Sequence, residues 1–450
     1  MKAGIGFSRV PFSKETGAEA AAEACRFVEK PVLTFLFTTE GYDQEGVLEG
    51  VLSQTGASCL VGACGAGIVT PQGVYREGVA VLVLGGEGVS AVTAAVPFAT
   101  GEAWETGKRL GKTLLDKAQV RAGTVFVFLD GLTDHISELL LGLYGVLGPG
   151  FRYAGGATGD NLRFQKTYQM TEHGVASSSV VAALVWGCSF GVGVGHGWRS
   201  VPVPLIITRA RGRVLYELDE QPALEVYSRR LGGFDPKNFA EVGARHPLGL
   251  VDASGRFIIR DPLKVLPGGA LQLVTDVPSR AAAYLMTAEK DDLLRVARDV
   301  AVTALQAVRI PRFALVFDCV SRSLLLRNSS EEVAVVREAL GSLPFVGFLT
   351  FGEVAPYNDV PLFHNKSLVI TVGGSKVTWT SGLPNWPCCT KYLRLGFPAR
   401  KESFSANWWP RRSAFSGCGG LPWCSLKNLP GLPVTLGAFR NVFCKNRGGC

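Results

Sequence analysis

Short runs of β-branched and aromatic residues alternate with helix-patterned stretches through the first 150 residues, and this alternation restricts the chain to layered α/β architectures. Val32 to Phe37, Ser58 to Val61, Val79 to Leu84 and Val125 to Leu129 read as buried strands. Thr16 to Phe27, Asp43 to Ser53 and Glu102 to Lys117 read as helices, with Asp43 placed to cap the second and Val47, Leu48, Val51 and Leu52 sharing its sheet-covering face. Strands dominate from Val180 to Val277. A long amphipathic helix is expected over Glu289 to Val308, then a strand at Phe313 to Phe317, a helix at Val333 to Leu340, and strands at Pro344 to Thr350 and Ser367 to Val372. The expected fold is therefore α/β (mixed α+β): two successive layered units with mixed sheets, residues 1–200 and 201–374, divided at the Pro202 and Pro204 punctuation and followed by an irregular tail. No short tandem repeat is visible.

The charge is as unevenly placed as the structure signals. Residues 375–450 hold 11 Lys and Arg against one acid, Glu402, a net of +10. The other 374 residues hold the remaining 35 basic and 37 acidic side chains, a net of −2, so the overall +8 does not make the body a nucleic-acid binder. The tail also carries six of the eleven Cys and five of the eight Trp, without helix or strand period, as a frameshifted reading frame would. A disordered basic tail or a cysteine-rich metal module are the other readings, although adjacent Cys388 and Cys389 match no usual zinc spacing. Five scattered body cysteines fit a reducing compartment, and the amino terminus lacks an apolar leader core, so a cytoplasmic location is expected. The charge-free segment from His173 to Trp198 is broken by Ser and Gly into strand-length pieces, which argues for buried strands and against a membrane span.

Chemistry concentrates near residue 320. Apolar strand-like residues lead into Phe317-Asp318-Cys319-Val320-Ser321-Arg322; Glu331 follows, then Gly347-Phe348-Leu349-Thr350-Phe351-Gly352-Glu353 and His364-Asn365. An acid, a thiol and a cation at one strand end, with a second strand ending on a glutamate, describe a small-molecule pocket. Other motifs accompany it in order: Gly6-Phe7-Ser8 before an Ala-rich helix, Gly41-Tyr42-Asp43, the Gly62–Gly67 run, Gly155 to Asn161, His196-Gly197-Trp198, Glu217 and Asp219, Tyr227, Pro247-Leu248-Gly249 and Arg260-Asp261-Pro262. Together they resemble the FIST domain family, bacterial and archaeal sensory modules, over residues 1–374. In the Gly62–Gly67 run the cysteine stands one place from its usual family position and the family's hydroxyl residues are missing.

The resemblance implies a non-enzymatic sensor that binds a small ligand and signals to an output protein such as a histidine kinase, a chemoreceptor or a cyclic-dinucleotide enzyme. For a ligand such as an amino acid, a guanidinium at Arg322 or Arg260 would take the carboxylate and Asp318 or Glu353 the ammonium, since buried charge must be paired. An internal Asp318–Arg322 ion pair is the plain structural reading of the same residues. Asp160, in a glycine-rich loop able to approach a ligand closely, and Asn365 complete the candidate set. No nucleotide or dinucleotide motif survives scrutiny: the glycine runs neither end in Gly-Lys-Ser/Thr nor open a helix. Two alternatives remain. Some family members bind haem as nitric oxide sensors, which would require an axial ligand from His135, His173, His196, His246 or His364. A Cys319–His364 pair would instead suit an enzyme acting on a small acidic substrate.

Overall fold

The computed structural model describes residues 1–374 apart from 57, 99–100, 253–254 and 328–329; the Cys- and Trp-rich tail lies outside the described residues. The unit strand, helix, strand, helix, strand, hairpin, strand occurs three times along it. The first unit runs from Lys2–Ser8 through helices Ser13–Cys25 and Gln44–Thr55 to the strand Val79–Gly85. A second runs from Ser90–Pro97 through Ala103–Ala118 and Ile136–Leu147 to Ser179–Trp186. The third begins at Ser189–Gly195 and resumes, after an insertion, with Lys290–Gln306, ending at Leu368–Gly374. Each builds one sheet in which the last strand sits between the first and second, and the second and third strands are parallel.

The units are interlocked. Each hairpin leaves its own sheet and extends a neighbour's: Ile68–Thr70 pairs with Phe345–Thr350 of the third unit, Gln169–Thr171 with Cys59–Gly65 of the first, and Glu353–Tyr357 with Phe151–Thr158 of the second. The parallel pairs share one register. Leu36 faces Gly62, Val127 faces Gly155 and Val316 faces Gly347. A Cβ at Gly155 or Gly347 would overlap the carbonyl oxygen of Val127 or Val316, so the strands approach this closely only with glycine there. One residue further on, Phe37, Phe128 and Phe317 meet: Phe128 and Phe317 ring centroids lie 5.7 Å apart, and Phe37 lies 5.8 Å from Phe128 and 6.2 Å from Phe317, all edge to face. The sheets thus bury their inner faces against each other while the helix pairs cover the outer ones.

The insertion runs from Arg199–Arg211 to Ala281–Thr287 and forms a separate eight-stranded sheet with its own core around Leu205, Ile207, Tyr227, Leu271 and Leu285. The boundary expected near residues 201–205 falls inside its first strand. Residues 1–374 thus form three strand-exchanging units, the third interrupted by a β-rich insert. Individual elements agree with the sequence. Asp43 caps its helix by accepting from Gly46 N at 3.1 Å, and the charge-free segment after His173 contributes the strands Ser179–Trp186 and Ser189–Gly195. No helix among the described residues is long and apolar enough to cross a membrane.

Candidate functional site

A cavity of about 670 Å³ opens at the carboxyl ends of Gly123–Asp130 and Pro311–Cys319, each a member of its own unit's parallel pair, with the insertion as its third wall. Ligands of layered α/β proteins characteristically bind at such strand ends, and the volume is that of a small-molecule site. Leu162, Phe164, Leu263 and Leu324 line it although each is an exposed large apolar side chain, so the mouth is apolar without being covered. Phe164 packs against Phe351 in a tilted pair with ring centroids 5.2 Å apart, which fixes that rim.

Asp261 is the polar centre of this cavity. The residue is 7% exposed, its Oδ2 pairs with Lys366 Nζ at 3.0 Å and accepts from Ser321 Oγ at 3.4 Å, and its Oδ1 has no partner. Burial raises the Asp261 carboxyl pKa, while Lys366 pulls it back down. Lys366 has no exposure, donates to the Ala244 carbonyl at 2.8 Å, lies over the Trp198 ring at 5.6 Å and has a left-handed backbone (φ 55°). A non-glycine residue is held that way only where its surroundings over-determine it. Beside it Asn365, also on the cavity wall, accepts from Thr275 Oγ1 at 2.7 Å.

Behind Cys319 lies a buried charged cluster. Arg322, with no exposed surface, sits on the short helix Val320–Leu325 and turns inward, where the sequence suggested a cation at an open strand end. Its Nε lies 3.4 Å from Asp318 Oδ1 and donates to Glu332 Oε1 at 3.1 Å, and its other nitrogens reach Glu332 and the carbonyls of His196 and Leu293. Its donors are spent inside the protein, so no free fork is offered to a ligand. The partner is Glu332; Glu331 is exposed and pairs with Lys290. Glu353 accepts from Thr350 Oγ1 at 2.5 Å and from Ser367 N at 3.1 Å. Burial pushes its carboxyl pKa to about 8 and raises that of Asp318 well above the carboxylate range, with the Glu332 charge adding to the latter. Burial thus favours the protonated form of both carboxyls beside the Arg322–Glu332 pair.

The remaining candidates are structural supports. Asp160 accepts from the backbone amides of Phe164, Gln165 and Lys166 at 2.6 to 3.0 Å, and so shapes the loop that carries Leu162 and Phe164 to the cavity. Arg260 donates to the carbonyls of Asp276 and Ile259, and burial lowers its pKa to about 10. Cys319 and His364 are not brought together in one pocket. Cys319 lines the large cavity, whereas His364 lines a second one of about 490 Å³ with His196 and Trp198. Burial raises the Cys319 pKa, the reverse of what an attacking thiolate needs.

Asp261, Lys366 and Glu332 were not singled out from the sequence. Asp261 stands beside Arg260 in a motif where the arginine drew attention, and its carboxylate matters only because the insertion folds back over Cys319. Glu332 differs from Glu331 only in helix phase.

Family models for the FIST N domain and the FIST C domain match residues 32–221 and 223–356, meeting inside the insertion. Among curated proteins, an uncharacterized protein of Mycobacterium bovis is 27% identical over 79% of this chain and 94% of its own length. A second, from Mycobacterium tuberculosis, is 26% identical over 79% of this chain and 95% of its own length. One from Methanocaldococcus jannaschii is 26% identical over 58% of this chain and 56% of its own.

Proposed function

The chain belongs to the FIST family, whose domains are associated with signal-transduction sensors, and from that premise we propose that it is a cytoplasmic sensor that binds an amino acid with an apolar side chain in the Asp261 cavity. One observation carries the reading: a buried carboxylate oxygen without a partner, Asp261 Oδ1, belongs to a residue lining an open cavity with apolar walls. The ligand ammonium donates to Oδ1, which relieves an otherwise costly unpaired acceptor. Lys264, on the same wall, offers positive charge for its carboxylate, and the Leu162, Phe164 and Leu324 side chains receive its apolar group. Asp318, Arg322, Glu353, Arg260 and Asp160 act behind this surface as supports, and Asn365 borders the ligand.

The cavity is walled by the second unit, the third unit and the insertion, so a ligand that prefers one arrangement of these walls shifts the population toward it. A histidine kinase, a chemoreceptor or a cyclic-dinucleotide enzyme would read that shift. Association with such a partner is expected to differ with and without ligand; equal association would refute the coupling. The ligand reading is tested by the melting temperature of the full chain against the twenty amino acids. Ligands that bind only the folded state raise it, by ~2.7 kcal/mol of stabilisation at a hundred times Kd. A selective rise with apolar amino acids supports the reading, and no rise with any amino acid overturns it.

A second reading rests on His364. Burial and the Arg260 charge hold its pKa near 3, and its buried Nε2 has no partner. A neutral imidazole with one free nitrogen beside a cavity fits an axial haem ligand, and haem bound there would supply gas binding. A Soret band on adding haemin, lost in His364→Ala, would favour this reading over the first.

A further inference from the structure

At the rim where the second unit meets the insertion, His135 and Glu138 lie three residues apart at the start of the helix Ile136–Leu147, and Asp276 approaches from the insertion. His135 Nδ1 stands 3.2 Å from Glu138 Oε1 and 3.7 Å from Asp276 Oδ2, and the three donor atoms all lie within 4.8 Å of one another. We propose that His135, Glu138 and Asp276 form a binding site for a first-row divalent metal ion of the zinc class.

The distances suit such an ion. Bonds of about 2.0 to 2.2 Å in tetrahedral coordination separate neighbouring ligand atoms by roughly 3.3 to 3.6 Å, so the donors stand close to binding positions and leave a fourth place open. One imidazole and two carboxylates are an accepted donor set for these metals. The positions are held from behind. His135 has a left-handed backbone (φ 61°) as the residue preceding the helix, and the Asp276 carbonyl accepts from buried Arg260 Nε at 2.9 Å. Asp276 Oδ1 is buried without a partner, so this carboxylate has unused acceptor capacity. Arg213, whose charge acts on Asp276, is itself paired with Asp134.

The site would tie the helix start to the insertion and so fix one wall of the cavity. Its presence does not depend on what that cavity binds. Zinc content of the full chain, stripped with chelator and dialysed against limiting Zn²⁺, tests it. Because thiols also bind zinc, the reading is a difference: one equivalent fewer in Asp276→Asn and in His135→Gln than in the parent chain, and about tenfold weaker retention in Glu138→Gln. Zn²⁺ should also raise the melting temperature of the parent chain by an increment missing from the Asp276→Asn and His135→Gln chains. These residues are partly exposed, so all three variants should keep the parent circular dichroism. Equal zinc content and equal increments in parent and variants would overturn the proposal.

Discussion

Leu129 of the second unit and Asp318 of the third occupy the same register position, one residue past the meeting phenylalanines and one before the strand end. In the second unit the position is apolar and packs into the core, and the corresponding residue of the first unit is Thr38, hydrogen-bonded to Gln44 at 2.5 Å. In the third unit a carboxyl is buried beside Arg322, Glu332 and Glu353. One backbone thus carries a cheap solution twice and an expensive one once, since buried charge is stabilising only when fully paired. The expensive solution lies directly behind the wall of the Asp261 cavity. The comparison assigns the third unit's polar burial to shaping a site and the other units' apolar burial to holding the fold.

The sharpest way to break this contrast is Arg322→Ala. It leaves Glu332 without its cation, and removing one member of a buried pair costs about 3 to 5 kcal/mol. Urea unfolding measures the loss; a change within ~1 kcal/mol would mean that the cluster is hydrated and the contrast mistaken.

The next effect is on pH dependence. Unfolded Glu353 releases its proton near the ordinary 4.5, whereas the folded carboxyl keeps it to about 8. The folded state binds more protons across that window, so stability declines as pH rises from 4.5 to 8, by up to ~1.4 kcal/mol per pH unit from this group, and is level above it. Glu353→Gln should flatten the decline measured by urea unfolding at several pH values. An unchanged slope would place Glu353 in a wetter setting than the third unit is held to provide.

Asp318→Leu makes the third unit imitate the second. Burial favours the protonated form of its carboxyl and the Arg322–Glu332 pair remains, so the unfolding free energy should change by no more than ~1.5 kcal/mol in either direction. A loss of several kcal/mol would show that Asp318 carries charge in the folded state. The smallest effect is expected at Cys319, where iodoacetamide near neutral pH should modify the native thiol far more slowly than the denatured one. Rapid native modification would revive an enzymatic reading.

Much of this molecule was legible from sequence, and the failures have physical causes. Strand runs and amphipathic periods located most elements because each records which face is buried. Helix Ile136–Leu147 went unread because ISELLLGLYGVL is apolar on nearly every face and interrupted by two glycines. Threefold organisation was invisible because its shared features are few: one phenylalanine and one glycine per unit, spaced by helices and hairpins of unequal length. Of the candidate site, the sequence identified Asp318, Arg322 and Glu353 as unusual but not which way they face. Arg322 turns inward because the strand stops at Cys319 and a short helix begins, and a period of 3.6 replaces one of 2. The partnering of Asp261 with Lys366 spans more than a hundred residues and follows only from the insertion folding over the strand ends.

Isothermal titration of the full chain with leucine and with phenylalanine tests the central claim most directly. Saturable binding of one equivalent is expected for at least one of them. It should be lost both in Asp261→Asn, which removes the negative charge that holds the ligand ammonium, and in Leu324→Trp, which fills the apolar mouth while leaving the buried pairs intact. Absence of binding in the parent chain, or binding of undiminished affinity in both variants, would contradict the assignment of the Asp261 cavity as the ligand site.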